Sequence, residues 1–257
     1  HRYFYPASTV KLPVVLLALQ KMNELKIPGL NKNSRMVTEA GEKKQTAAYN
    51  DPNTLDGAPS IAQYIKKILL VSDNDAFNRL YEFLGQEYIN TSLHNMGYKS
   101  AALLHRLSIS LTEEENRHTN RVNFYDSSQN LLYTKPAMFN SKTYSSRNDS
   151  LGKAYYAGGK HFNEPMDFSK KNRLQLADLH HILTSVIFPA AVAPKNRFNI
   201  TEADRQCVLK YMSMYPSESG YPNYGIDYHD TYAKFLLYGA EKKAPMPRIR
   251  IFNKVGD

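Results

Sequence analysis

Leu12 to Leu19 (LPVVLLAL) is an unbroken apolar run of eight residues. It falls well short of the ~18–20 residues needed to span a bilayer, and no other stretch of the chain approaches that length. The run lies inside residues 9–25 (TVKLPVVLLALQKMNEL), whose composition predicts a mostly buried helix. Ser8 or Thr9 stands where it can cap this helix, and Pro28-Gly29 follows as a stop. Pro13 falls early, where the missing N–H removes one internal hydrogen bond. A buried helix obliges other elements to cover it. The 257 residues are enough for one large domain, or for two lobes sharing a core.

Further helices can be read from apolar spacing. Ile61, Tyr64, Ile65, Ile68 and Leu69 follow the i, i+3, i+4 pattern of an amphipathic helix over residues 60–71, ending at Ser72-Asp73-Asn74. A second helical pattern fills residues 75–84 up to Gly85, and a third runs from Glu87 to Asn95, stopped near Gly97. Two more are expected at about 173–187 and 201–213. The latter opens on Thr201 with Asp204 three residues on. Residues 31–57 are polar and predict a surface connection. Residues 121–170, rich in Ser, Asn, Tyr and Lys, predict a long loop or insertion with one or two short strands. Arg248 to Lys254 (RIRIFNK) alternates polar and apolar residues, as a half-buried strand does.

Charge and composition exclude several classes. Lys and Arg number 33 against 24 Asp and Glu, a net charge of +9. The cations come singly or in pairs such as Lys43-Lys44 and Lys242-Lys243, without the cluster that a nucleic-acid arm would carry, so no nucleic-acid partner is expected. Cys207 is the single cysteine, which excludes an internal disulfide and a cysteine-rich zinc site. His180 and His181 are adjacent and point different ways on a helix. No metal or phosphate-binding motif appears, so no cofactor is expected.

Three short motifs occur in order: Ser8-Thr9-Val10-Lys11, then Ser72-Asp73-Asn74, then Lys254-Val255-Gly256. The first opens the apolar helix, the second lies between two helices, and the third ends the candidate strand. A serine hydroxyl is a weak nucleophile until a base takes its proton. Ser8 and Lys11 are three residues apart, which places them on one face of a helix. Buried near other cations, Lys11 would shed its proton and serve as that base. Ser8 at a helix N-terminus also meets partial positive charge that favours a developing anion. Against this stands a plainer possibility in which Ser8 only caps a helix, Lys11 is a surface lysine, and the Ser72–Asn74 segment is an ordinary turn.

Taken together the three motifs resemble the penicillin-recognising serine hydrolases, the class A β-lactamases and related D,D-peptidases. The surrounding residues YPASTVKLPVVLLAL, IKKILLVSDNDAFNRLYEFLG and LQLADLHHIL extend the likeness over about half of the chain. The resemblance implies an α+β fold, with a helical lobe and helices on an antiparallel sheet that is incomplete here. It makes residues 1–257 a single catalytic domain, expected to be cut at both ends from something longer. It implies catalytic roles for Ser8, Lys11, Ser72 and Lys254: nucleophile, base, proton relay and support of the relay. It implies substrate binding by Asn74, through its amide, and by Gly256, through close approach of its backbone. It pairs the backbone N–H of Asp257 with that of Ser8 as an oxyanion hole.

The sequence departs from the family pattern at two of these positions. Val255 stands where the family has a hydroxyl for the substrate carboxylate, and Asp257 where it has a small neutral residue. Both disfavour an anionic β-lactam. For the family's deacylating glutamate the chain offers Glu113, Glu114 and Glu115, with Asn116 or Asn120 following, at spacings that do not match; an acidic helix start capped by Thr112 accounts for them equally. The activity implied is acyl-enzyme hydrolysis of a β-lactam or related cell-wall amide or ester. The partner implied is a small-molecule or peptidoglycan-derived substrate, and the location periplasmic or otherwise exported. A slowly deacylating D,D-peptidase-like enzyme and a non-catalytic cell-wall-binding relative are the alternatives.

Overall fold

α1 (Lys11–Leu25) runs through the middle of the protein, entered by a 3-10 turn over Ala7–Val10. The structure is a computed structural model in which residues 3–41, 44–243 and 249–256 are described. Val14 to Ala18 of α1 are completely enclosed. Each enclosed leucine contributes about 1.5–3 kcal/mol of transfer free energy, which makes this helix the core around which others assemble. Pro13 is its third residue, where the N–H has no intrahelical acceptor, so the ring is tolerated. The expected side-chain cap is not made: Thr9 Oγ1 instead donates to the Pro6 carbonyl, and Val10 occupies the cap position. Lys26, in the left-handed conformation, ends the helix ahead of Pro28.

β1 (Arg35–Thr38) comes next and corrects the expectation of a loop over residues 31–57. Its four residues are too few to show a period, and only pairing with a distant strand makes them one. α2 (Ile61–Val71), capped by Ser60, and α3 (Asn74–Leu84), capped by Asp73, follow as expected and pack on α1 and on each other. α4 (Gln86–Asn95) begins directly after Gly85, whose φ of 77° breaks the chain direction between the two helices. α5 (Glu113–Arg117) is a single turn leading into β2 (His118–Thr119).

The segment expected as a long loop holds more strand than the sequence suggested. β3 (Val122–Tyr125) pairs antiparallel with β1 and with β4 (Leu131–Lys135), giving a three-stranded sheet of order β1-β3-β4. Phe124 turns inward from it, edge-on to Phe83 of α3 with ring centroids 5.1 Å apart. β5 (Met138–Phe139) pairs with β2. β6 (Ser150–Leu151), β7 (Tyr155–Ala157), β8 (Lys160–Phe162) and β9 (Met166–Asp167) form a nested ribbon in which β6 pairs with β9 and β7 with β8. These strands have two or three residues each, too short for alternation to register in the sequence.

α6 (Leu176–Ile187) and α7 (Glu202–Ser213) complete the helical layer. Thr201 and Asp204 form the expected capping box on α7. α8 (Phe235–Tyr238) is one turn near the end of the chain. The strand expected from Arg248 to Lys254 is corrected: Arg248 lies outside the described residues, and residues 249–256 carry no strand pairing among the described residues. Alternation makes a segment able to form a strand, but a strand exists only with a hydrogen-bonded neighbour. The architecture is α+β, with helices beside a small antiparallel sheet. No helix among the described residues is long and apolar enough to cross a membrane.

Candidate active site

Ser8 sits half-buried in the turn that leads into α1. The preceding residue, Ala7, is buried with a φ of 43°. A left-handed non-glycine residue costs about 1–3 kcal/mol, a strain that the packing of Pro6 and Val10 around the turn sustains. One helical turn on, the Lys11 side chain is wholly enclosed. Its Nζ lies 2.9 Å from Ser8 Oγ, 2.6 Å from the Ser72 carbonyl, 3.1 Å from Ser72 Oγ and 2.6 Å from Asn74 Oδ1.

The junction between α2 and α3 supplies three of these four acceptors. Ser72 is left-handed, with φ 58° and ψ 37°, and its N–H closes the last turn of α2 onto the Ile68 carbonyl. That conformation swings its carbonyl and hydroxyl towards Lys11. Asp73 accepts from the Ala76 N–H at 2.7 Å, starting α3 so that Asn74 points back into the site. From the far end of the chain, Lys254 Nζ donates to Ser72 Oγ at 2.8 Å and to the Val255 carbonyl at 2.6 Å. Ser72 Oγ therefore stands between two amines.

Gly256 closes the arrangement. A Cβ built there would fall 2.8 Å from the Pro6 carbonyl oxygen and 2.9 Å from Thr9 Cγ2, so only glycine lets residues 254–256 lie against the turn that carries Ser8. Asp257 lies outside the described residues, and with it the second oxyanion donor that the resemblance implied.

Burial sets the charge states. Enclosure lowers Lys11 from the usual lysine range to about 8, opposed by the nearby Asp73 carboxylate. Lys254 falls further, to about 6: burial acts first, then the neighbouring charges of Lys11 and Lys234. A lysine near 8 can lose its proton at modest cost in neutral solution, after which its lone pair can accept from Ser8.

Sequence reasoning missed four neighbours. Ser108, at φ 53°, accepts from Asn74 Nδ2 at 2.7 Å and so fixes which way the amide faces. Asn78 holds the loop in place through both the N–H and the carbonyl of Leu107. Lys234 and Asn253 flank the site from the chain's last described segments. A lone serine in a loop and a lone lysine carry no local signal that would have identified them.

The three glutamates are engaged elsewhere. Glu113 pairs with Lys170 at 2.6 Å, Glu114 lies 3.9 Å from His118, and Glu115 closes the capping box with Thr112 and pairs with Lys44. Thr112 and these acids thus make the acidic helix start. Among the described residues, none of their ion pairs or hydrogen bonds reaches Ser8, Lys11 or Ser72.

A family model described as "Beta-lactamase enzyme family" matches residues 1–197, which include both the Ser8–Lys11 and the Ser72–Asn74 motifs. The chain belongs to this β-lactamase family. Comparison with curated proteins returned no match. Among solved structures, a β-lactamase from Burkholderia vietnamiensis is 14% identical at a TM-score of 0.44, with 83% of this chain and 56% of that one covered. The enzyme L2 complexed with relebactam is 16% identical at a TM-score of 0.41, with 82% and 55% covered. A point mutant of the class A β-lactamase of the last common ancestor of Gram-negative bacteria is 15% identical at 0.40, with 82% and 56% covered. The chain spans about half the length of these β-lactamase structures.

Proposed function

We propose that this β-lactamase-family chain is a serine hydrolase that forms an acyl-enzyme through Ser8 on a β-lactam or a related cell-wall amide or ester. The observation that carries this reading is the single amine, Lys11 Nζ, within hydrogen-bond distance of the hydroxyls of both Ser8 and Ser72. With Lys11 uncharged, the Ser8 proton passes to its Nζ as Ser8 Oγ attacks the substrate carbonyl carbon. The tetrahedral oxyanion meets the Ser8 N–H in the turn that leads into α1. Collapse breaks the bond to the leaving nitrogen or oxygen, which takes its proton from the Ser72 hydroxyl. Lys11, which holds the proton taken from Ser8, passes it to Ser72 Oγ, while Lys254 keeps that hydroxyl in place from the other side. The product is an ester on Ser8; the freed amine stays tethered in the opened ring of a β-lactam, whereas an acyclic amide or ester releases its amine or alcohol.

Deacylation is the slow half. It needs a base for water, and Glu113, Glu114 and Glu115 are held in contacts away from the site. Lys11 is left to do both proton transfers, as in a D,D-peptidase-like enzyme that acylates readily and releases slowly; this favours the second reading within catalysis. An exported location and a peptidoglycan-derived substrate follow from the same reading.

Intact-mass spectrometry after incubation with a penicillin tests it. The expected result is a persistent adduct of one penicillin on the wild type, none on Ser8→Ala, and labelling slowed by orders of magnitude in Lys11→Ala. Equal labelling of wild type and Ser8→Ala would remove Ser8 from the mechanism. No adduct from any penicillin or activated ester would favour a non-catalytic cell-wall-binding relative.

A further inference from the structure

A cavity of about 350 Å³ opens between the second half of α4, residues 99–104, residues 142–147 and Arg173. Asn90 of α4, only 1% exposed, frames it. Asn90 Oδ1 accepts from the Leu103 N–H at 2.8 Å, and Nδ2 donates to the Gln86 and Leu103 carbonyls at 2.8 and 3.0 Å. Two backbone hydrogen bonds with Ala102, of 2.8 and 2.9 Å, hold Arg173 at the opposite chain segment. The wall carries four cations, Lys99, Lys142, Arg147 and Arg173, and among the described residues no carboxylate lines it. We propose that this cavity is a second ligand site that takes the phosphate monoester of a sugar, with Arg173 and Lys99 holding the phosphate.

The four cations differ in what already engages them. Arg147 donates to the Phe168, Ser169 and Lys171 carbonyls and lies 3.4 Å from Asp149, so its work is structural. Lys142 reaches Thr91 Oγ1 at 3.3 Å and lies 4.0 Å from Glu87. The side chains of Lys99 and the half-buried Arg173 make no hydrogen bond or ion pair among the described residues. Asp178, outside the wall, accepts from Ser100 Oγ at 3.1 Å. A guanidinium without an acid partner presents a planar fork that matches phosphate through two hydrogen bonds. Cations facing one cavity repel each other, and a dianion relieves that repulsion more than a single carboxylate does. Thr91, Ser100, Thr143, Ser145 and Ser146 add hydroxyl residues to the wall, which suits the hydroxyls of a sugar. The volume stands at the small end for ligand sites and fits one sugar ring with its phosphate. None of the contacts that hold Ser8, Lys11, Ser72 and Lys254 together involves a wall residue, so the site stands apart from the acyl-enzyme reading.

Titration calorimetry at low salt and about pH 7.5, where the phosphate is mostly dianionic, tests this with glucose 6-phosphate, inorganic phosphate and glucose. Glucose 6-phosphate should bind at least about tenfold more tightly than either of the others. Arg173→Gln and Lys99→Gln should each weaken it about tenfold to a hundredfold. Lys160→Gln, an exposed site on β8, and Ser8→Ala should leave it unchanged. Amide NMR shifts on titration should centre on residues 99–104 and 173. If Arg173→Gln fails to fold, the exposed Lys99→Gln carries the comparison. Equal weakening in Lys160→Gln would reduce the effect to overall positive charge and overturn the proposal. Inorganic phosphate binding as tightly as glucose 6-phosphate would overturn the sugar specificity, and no binding of any probe, or shifts centred on Ser8, would overturn the site.

Discussion

Gly256 is a glycine for a steric reason. The atoms a Cβ would strike are the Pro6 carbonyl and Thr9, part of the turn that presents Ser8. Gly256→Ala must therefore push residues 254–256 off that turn and withdraw Lys254 from Ser72. Labelling of Ser8 by penicillin should fall about tenfold or more while the thermal midpoint changes little, since Gly256 is exposed. Unchanged labelling would mean that the close approach has no bearing on chemistry. Val255, next to it, offers no hydroxyl to a substrate carboxylate. A charge-assisted hydrogen bond is worth about 1.5–3 kcal/mol, so Val255→Thr should raise β-lactam acylation about tenfold to a hundredfold. Stopped-flow measurement with a chromogenic cephalosporin reads this directly, and neutral acyl esters should show no such gain.

At the scale of elements, the loop between α4 and α5 is held by charge. Arg106 reaches Glu82 of α3 through two nitrogens, at 2.9 and 2.5 Å, and both side chains are almost fully enclosed. The other Glu82 oxygen accepts from the Asn120 N–H at 2.6 Å, tying the approach to β3 to the same carboxylate. Such a pair is weak as net stabilisation but costly to break from one side. Glu82→Ala should destabilise the fold by about 3–5 kcal/mol in urea unfolding. A loss below ~1 kcal/mol would mean that water replaces the carboxylate around Arg106. The same loop carries Ser108 to Asn74, so a milder loss of site order should accompany the loss of stability.

Over the whole molecule, buried and partly buried lysines govern how stability varies with pH. Lys254 is lowered to about 6, Lys135 to about 7, and Lys11, Lys21 and Lys234 to about 8, with burial the leading cause in each. Unfolded, each of them holds its proton up to the ordinary lysine range. Between these values the unfolded chain binds more protons than the folded one, so the free energy of unfolding rises with pH. Partly buried tyrosines such as Tyr3, pushed up to about 12 by desolvation, reverse the trend once free phenols begin to ionise. The urea midpoint should accordingly increase from pH 6 to pH 9 and turn over above about 10. A flat or falling midpoint between pH 6 and 9 would show that these ammonium groups keep their protons in the fold.

The helices and the order of the three motifs were legible in the sequence because they rest on short-range physics. A buried helix shows in the run from Leu12 to Leu19, an amphipathic one in the spacing from Ile61 to Leu69, and a cap in Thr201 with Asp204, all within a few residues of the groups they act on. The Ser8–Lys11 contact belongs to the same class, since three residues on a helix bring two side chains together. Other features were decided by tertiary structure alone. The strands β1 and β3 to β9 exist through partners that the local pattern does not name, and residues 249–256 lack a described partner and form none. Glu113 to Glu115 could be read as a base or as a helix start until Lys170, Lys44 and the Thr112 cap claimed them. Ser72 is brought between Lys11, 61 positions away, and Lys254, 182 positions away, and Lys234 joins them from an unmarked turn. A proton's preferred site depends on desolvation and on charges a few ångströms away, and only the folded chain determines what stands at that distance.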